Sequence, residues 1–269
     1  VYRTDVTAPS ISANIQNSAW ANSNVSVTLT FSDSHSGISM RQYAWSTSTS
    51  TPSSWSTYSS AVTQSNNGAW YLHARAVDSA GNVRTTYFGP YRIDKQPPTE
   101  PNLNLDQSWI NGNRTFTVTG GSDAHSGVAR LEYRIGSGAW TTYTTTTTAL
   151  TTSGTIEVQA RTVDNAGNVS KVVAKTARVD KTNPQPPTLN LDESWTNQDR
   201  TFTVTGGSDA HSGVAQLEYR IGTGSWNKYS STTTALTTSG TVDVQARTKD
   251  NVGLYSTVIT KTARVDKIK

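Results

Sequence analysis

Thr155-Ile156-Glu157-Val158-Gln159-Ala160-Arg161 alternates apolar and polar residues with a period of two, and the turn block Val163-Asp164-Asn165-Ala166-Gly167-Asn168 follows it. Strict alternation places one set of side chains on each face of an extended strand. Thr115-Phe116-Thr117-Val118-Thr119 reads the same way, as does Val172–Val179 after its first pair. β-Branched residues dominate these stretches, and Gly, Asn, Asp and Ser interrupt them every 8–12 residues. No window of ten shows helical spacing. The expected inward residues are Leu103, Leu105, Trp109, Phe116, Val118, Leu131, Tyr133, Ile135, Leu150, Ile156, Val158 and Ala160. Trp109 also shares with Trp20 and Trp195 a position ahead of the second strand, where a ring would cover the end of the sandwich. Glu132 and Glu218 alternate with apolar neighbours and read as solvent-face charges.

The pattern repeats. Ser122-Asp123-Ala124-His125-Ser126-Gly127 recurs at 208–213 and, as Ser32-Asp33-Ser34-His35-Ser36-Gly37, at 32–37. The turn block recurs as Val77-Asp78-Ser79-Ala80-Gly81-Asn82 and decays to Lys249-Asp250-Asn251-Val252-Gly253-Leu254. Asp94-Lys95, Asp180-Lys181 and Asp266-Lys267 recur with a period of 86. Residues 101–181 align without a gap to 187–267, with 60 of 81 positions identical. Repeat one is more diverged, with about four extra residues between Trp45 and Trp55. Pro97-Pro98 and Pro184-Gln185-Pro186-Pro187 mark stiff linkers. The organisation expected is residues 1–5 as the end of a preceding module, then modules at 6–95, 96–181 and 182–269. Tyr2-Arg3-Thr4-Asp5 resembles the ends of the other repeats, so the chain is expected to belong to a longer array.

Composition narrows the function. Thr and Ser together supply 77 of 269 residues, and hydrophobic residues only 33%. So polar a chain suggests disorder, but eight Trp and eleven Tyr oppose that reading. Thr alternating on the wet face of strands accounts for the hydroxyl content in a folded chain. With no Cys, disulfides and thiolate chemistry are excluded. No apolar run reaches about 18 residues, so membrane insertion is not expected. No charged and then apolar leader pattern opens the chain. The net charge of +4 is scattered, which argues against a nucleic-acid partner. Catalysis lacks its inventory. There is no G-x-S-x-G, no phosphate loop, and each His but His73 is a repeated turn residue.

Tyr133-Arg134-Ile135-Gly136-Ser137-Gly138-Ala139-Trp140 resembles the third-strand hairpin of fibronectin type III-like and bacterial immunoglobulin-like modules. Leu150–Arg161 with Asp164–Asn168 resembles their penultimate strand and turn. The resemblance covers nearly all of residues 6–269. It implies an all-β fold: three tandem immunoglobulin-like (fibronectin type III-like) β-sandwiches forming an elongated array. It also implies an extracellular or cell-surface setting in a secreted bacterial protein, where such modules serve as non-catalytic spacers or stalks presenting a catalytic or adhesive domain. The partners are then neighbouring modules of the chain. Lateral self-association through Thr-rich edge strands stays open.

Two candidate sites remain. In such sandwiches the loops bearing Asp123 and Asp164 lie at the pole where Asp94 enters. The corresponding sets are Asp5, Asp33 and Asp78, and Asp180, Asp209 and Asp250. Three carboxylates and nearby carbonyls suit calcium at a joint, and the resemblance to some bacterial adhesin modules points the same way. The other reading is that these Asp residues only cap backbone amides. The adjacent Lys95 and Lys181 argue against a strongly anionic site. His125 is expected to bond Asp164. The second candidate is the recurring W-x-x-Y: Trp55 and Tyr58, Trp140 and Tyr143, Trp226 and Tyr229. Exposed rings there would stack on a polysaccharide or host glycan. Hairpin packing is the structural alternative, since positions three apart face opposite sides of a strand.

Overall fold

The computed structural model describes residues 4–268. Every regular element among them is a β-strand. The second repeat forms two sheets. One has the order Pro101–Asn104, Arg114–Gly120, Thr147–Leu150. The other has the order Thr141–Thr142, Val128–Ile135, Gly154–Asp164, Val173–Val179. All these pairings are antiparallel. Three strands facing four, with the short fourth strand on the larger sheet, is an immunoglobulin-like sandwich of the fibronectin type III kind.

The third repeat has the same order, with Gln185–Asn190, Arg200–Ser208 and Thr233–Leu236 facing Asn227–Lys228, Val214–Ile221, Gly240–Asp250 and Ile259–Val265. In the first repeat the larger sheet gains a fifth strand, Trp20–Ala21, pairing parallel with Val83–Ile93. Its opposite layer is split into Ser10–Ala13 with Leu29–Ser32 and Val25–Val27 with Val62–Gln64.

Each module buries its own core. In the second, Leu103, Phe116, Val118, Val158, Ala160 and Ala177 are at most 2% exposed. Leu131, Tyr133, Ile135, Leu150 and Ile156 pack against them. The period-two reading therefore locates the core, with one exception. Trp109 is not in it. It lies at the end of the sandwich, with its ring 6.2 Å from that of His211 in the next module.

Glu132 and Glu218 also depart from expectation, each being only 6% exposed. Glu132 accepts from Arg130 Nε at 2.7 Å and Arg161 Nε at 2.8 Å. Glu218 accepts from Arg247 Nε at 2.7 Å and Gln216 Nε2 at 2.6 Å. They do lie on the outer face of the sheet. Long neighbouring side chains fold over them, which alternation alone does not reveal.

Gly121 requires its residue type. Its φ is +80°, and a Cβ there would sit 2.5 Å from Thr162 Oγ1. Gly207 repeats the arrangement against Thr248.

Candidate metal centre

The repeated Ser-Asp-x-His-Ser-Gly stretch forms a tight loop around its own carboxylate. Asp123 Oδ1 accepts from the amides of His125 at 3.0 Å and Gly127 at 2.8 Å. Gly127 takes a φ of +76° to bring its N–H inward, which suits glycine. The D-x-AGN turn does likewise: Asp164 Oδ1 accepts from the amides of Ala166 at 2.9 Å and Asn168 at 2.8 Å. These are the Asx-type turns expected for Asp in such loops.

The third carboxylate arrives from the preceding module. The Asp94 amide donates to the Ala21 carbonyl at 2.9 Å, which fixes where the outgoing strand ends. Its Oδ1 caps the Gln96 amide at 3.0 Å, and its Oδ2 accepts from the Ser126 amide at 3.0 Å. Asp180 repeats this with Thr182 and Ser212, and Asp5 with Thr7 and Ser36.

The nine Asp residues thus gather as three sets: Asp5, Asp33 and Asp78; Asp94, Asp123 and Asp164; Asp180, Asp209 and Asp250. In each set, one ligand atom from every residue lies within 4.8 Å of the others. Oxygens bound to one calcium at 2.3–2.6 Å lie at most about 5 Å apart, so the spacing suits that ion. Asp94 and Asp180 are 0% exposed. No Lys or Arg pairs with these carboxylates among the described residues. The neighbouring lysines point away. Lys95 Nζ donates to Asn24 Oδ1 at 3.0 Å, and Lys181 Nζ to Asn113 Oδ1 at 2.7 Å. Their proximity in sequence therefore does not neutralise the clusters.

Three further observations bear on fit. Asp33 Oδ2, Asp209 Oδ2 and Asp250 Oδ2 are buried without a hydrogen-bond partner, an arrangement that costs free energy unless something else meets the oxygen. Burial alone would raise the Asp209 carboxyl, but the amides of His211, Gly213 and Ser212 outweigh it and hold it below the usual range. Asp250 goes the other way. Burial lifts its carboxyl, the amides of Leu254 and Val252 only partly offset this, and the charge of Asp180 adds to the rise.

The histidines face the entering aspartate. His125 Nδ1 is 3.8 Å from Asp94 Oδ1, and His211 Nδ1 is 3.9 Å from Asp180 Oδ1. His125 was expected to bond Asp164; instead Asp164 Oδ2 is taken by Asn168 Nδ2 at 2.8 Å. His73 lies apart, 2% exposed, with Nε2 2.8 Å from the Ser48 carbonyl.

The W-x-x-Y residues do not make paired platforms. Tyr58 is 9% exposed, and its hydroxyl accepts from the Leu29 amide at 2.8 Å. Tyr143 and Tyr229 pack on the cores, edge-on to Tyr133 and Tyr219. As ligand-stacking residues these three tyrosines are corrected: the hairpin turns them inward. Trp140 and Trp226 are half-buried on the outer face, and guanidinium groups cover them. Arg161 lies 4.0 Å from the Trp140 ring centroid and Arg247 lies 4.1 Å from that of Trp226. Trp55 is half-buried. Sequence reasoning missed the roles of Arg161 and Arg247. Each alternates with apolar residues opposite a Glu, Arg161 with Glu132 and Arg247 with Glu218, and that cross-strand pairing was the available signal.

Comparison with protein-family models finds no match, and comparison with curated proteins finds none. Solved structures do align. The fibronectin(III)-like modules of Clostridium thermocellum CbhA are 16% identical, over 64% of this chain and 94% of theirs, at a TM-score of 0.33. A Ca2+-stabilized adhesin that helps an Antarctic bacterium bind ice is 18% identical, over 98% of this chain and 75% of its own, at 0.40. The D00-D0 domain of intimin is 18% identical, over 59% and 98%, at 0.27. The assignment of immunoglobulin-like sandwiches rests on strand order and register rather than on these likenesses.

Proposed function

We propose that this chain is a non-catalytic spacer array of an extracellular bacterial protein, with calcium held at its module joints. The carrying observation is the position of the three aspartate sets. Each takes one carboxylate from the segment entering a module and two from that module's loops. A cation there would neutralise buried like charges that no Lys or Arg pairs with among the described residues, and it would tie both sides of the joint together. A stiff joint turns chain length into reach. Each module contributes on the order of 30–40 Å, at ~3.3 Å per strand residue. A terminal domain carried on such an array would stand clear of the cell surface.

The glycan-binding reading has less support, because the tyrosines face inward and arginines occupy the outer tryptophans.

Titration calorimetry with calcium chloride and small-angle scattering test the proposal. Calcium uptake, together with a particle that shortens or bends when a chelator is added, is the expected result. No heat of binding and an unchanged scattering profile would overturn it.

A further inference from the structure

The three joints differ chemically. At the first, Asn82 Nδ2 donates to Asp78 Oδ2 at 2.8 Å and to the Asp5 carbonyl at 3.2 Å. At the second, Asn168 Nδ2 donates to Asp164 Oδ2 at 2.8 Å and to the Asp94 carbonyl at 2.9 Å. One neutral carboxamide thus bridges the turn of a module and the chain entering it, and it does so without an ion. At the third joint the equivalent residue is Leu254. Its amide still donates to Asp250 Oδ1 at 2.8 Å, so the turn keeps its shape. Its side chain has nothing to donate.

Two consequences are visible. Asp250, 1% exposed, is left with Oδ2 buried and unpartnered, whereas Asp78 Oδ2 and Asp164 Oδ2 are taken by Asn82 and Asn168. Asp209 Oδ2 is unpartnered too, but so is its counterpart at the first joint, so that oxygen does not depend on Leu254. The first joint has one such carboxylate oxygen, on Asp33, and the second has none among the described residues. The Asp180 carbonyl has also lost the bridging donor that Asp5 and Asp94 have. The third joint is still crossed by the Ser212 amide and hydroxyl on Asp180 Oδ2, at 3.1 and 2.5 Å, by His211 Nδ1 at 3.9 Å from Asp180 Oδ1, and by the Trp109–His211 ring contact.

We propose that the joint between the second and third modules is the cation-dependent hinge of the array. At this joint a divalent cation on Asp180, Asp209 and Asp250 takes the bridging place that Asn82 and Asn168 fill at the other two. The inference rests on the reading that calcium is held at the joints. It adds that the joints answer unequally to its removal: the third loosens, and the second, clamped by Asn168, keeps its geometry.

The cysteine-free chain permits a direct test on all 269 residues. Spin labels on Thr57→Cys with Thr142→Cys report the second joint, and labels on Thr142→Cys with Lys228→Cys report the third; all three positions are exposed. Distances are measured by double electron–electron resonance in calcium chloride and in chelator. The expected result is that only the 142–228 pair loses its single narrow distance in chelator. Leu254→Asn should remove that sensitivity, and Asn168→Leu should confer it on the 57–142 pair. If calcium binds by calorimetry and both pairs respond equally, or neither responds, the hinge is refuted while calcium binding stands. If the wild-type chain takes up no calcium, the underlying reading falls and the hinge with it. Leu254→Asn restores the residue found at the other joints, so the test survives if Asn168→Leu misfolds.

Discussion

The Ser126 amide donates to Asp94 Oδ2 at 3.0 Å, across a separation of 32 residues and across the boundary between two sandwiches. Asp94 closes one module and Ser126 belongs to the first loop of the next. The same pairing joins Asp180 to Ser212 and Asp5 to Ser36. Even without a cation, the carboxylate at the end of each repeat serves the module that follows it.

Replacing Asp180 by Ala should therefore weaken a joint more than a fold. The part-buried hydrogen bonds from the Thr182 and Ser212 amides would be lost, at a cost of about 1.5–3 kcal/mol for a hydrogen bond to a charged group. Limited proteolysis should show faster cleavage between 181 and 184, ahead of the strand Gln185–Asn190, with the thermal transition of the first module unmoved. A chain as resistant as wild type would contradict this.

Calcium should raise the melting temperature if the clusters bind it. At a free concentration of 100 Kd, one site adds about 2.7 kcal/mol to the module that holds it. For a module of this size that amounts to roughly 10–20 °C. Calorimetric scans with and without chelator measure it, and Asp250→Asn should remove the increment from the third module alone.

Glu132→Gln should change the acid limb of the second module's stability. Burial alone would raise the Glu132 carboxyl, but Arg130 and Arg161 outweigh it and hold it below the ordinary value of 4.5. A lowered carboxylate contributes stability that is fully present above the unfolded value and is lost as pH falls through the folded one. The variant should lose about 1.5–3 kcal/mol at neutral pH. Its unfolding curve should also be flatter than wild type below pH 4.5. Urea titrations at pH 7 and pH 3 compare the two.

Gly121→Ala should destabilise the second module by about 2–4 kcal/mol, combining a disfavoured positive φ with overpacking against Thr162. Adding Thr162→Ala should recover the steric part and leave the backbone part. Chemical denaturation of both variants separates the two contributions.

Trp140→Ala should cost stability without affecting association with insoluble polysaccharide. The ring sits under Arg161 and Arg134, at 4.0 and 4.9 Å, and each cation–π contact contributes about 0.5–1 kcal/mol at an exposed site. Pull-down of wild type with loss of binding in this variant would revive the glycan reading.

The sequence by itself determined the strands, the repeat, the inward faces and the set of nine aspartates. Period-two alternation and fixed-spacing turns are local properties, and Phe116, Val158 and the Asp123 and Asp164 turns follow from local rules. Only the tertiary structure decided which partners those residues meet across space. His125 faces Asp94 rather than Asp164, because the end of one module is brought to the first loop of the next. Glu132 is buried because arginines from its own and the adjacent strand close over it. Trp109 covers the end of its sandwich, as its place ahead of the second strand suggests, but that its ring meets His211 follows only from the next module being brought against that end. The exchange of Asn168 for Leu254 is plain in the alignment. Its effect, an unpartnered oxygen on Asp250, appears only when the turn is folded against the segment entering the module, since a carboxamide bridge needs both ends in place.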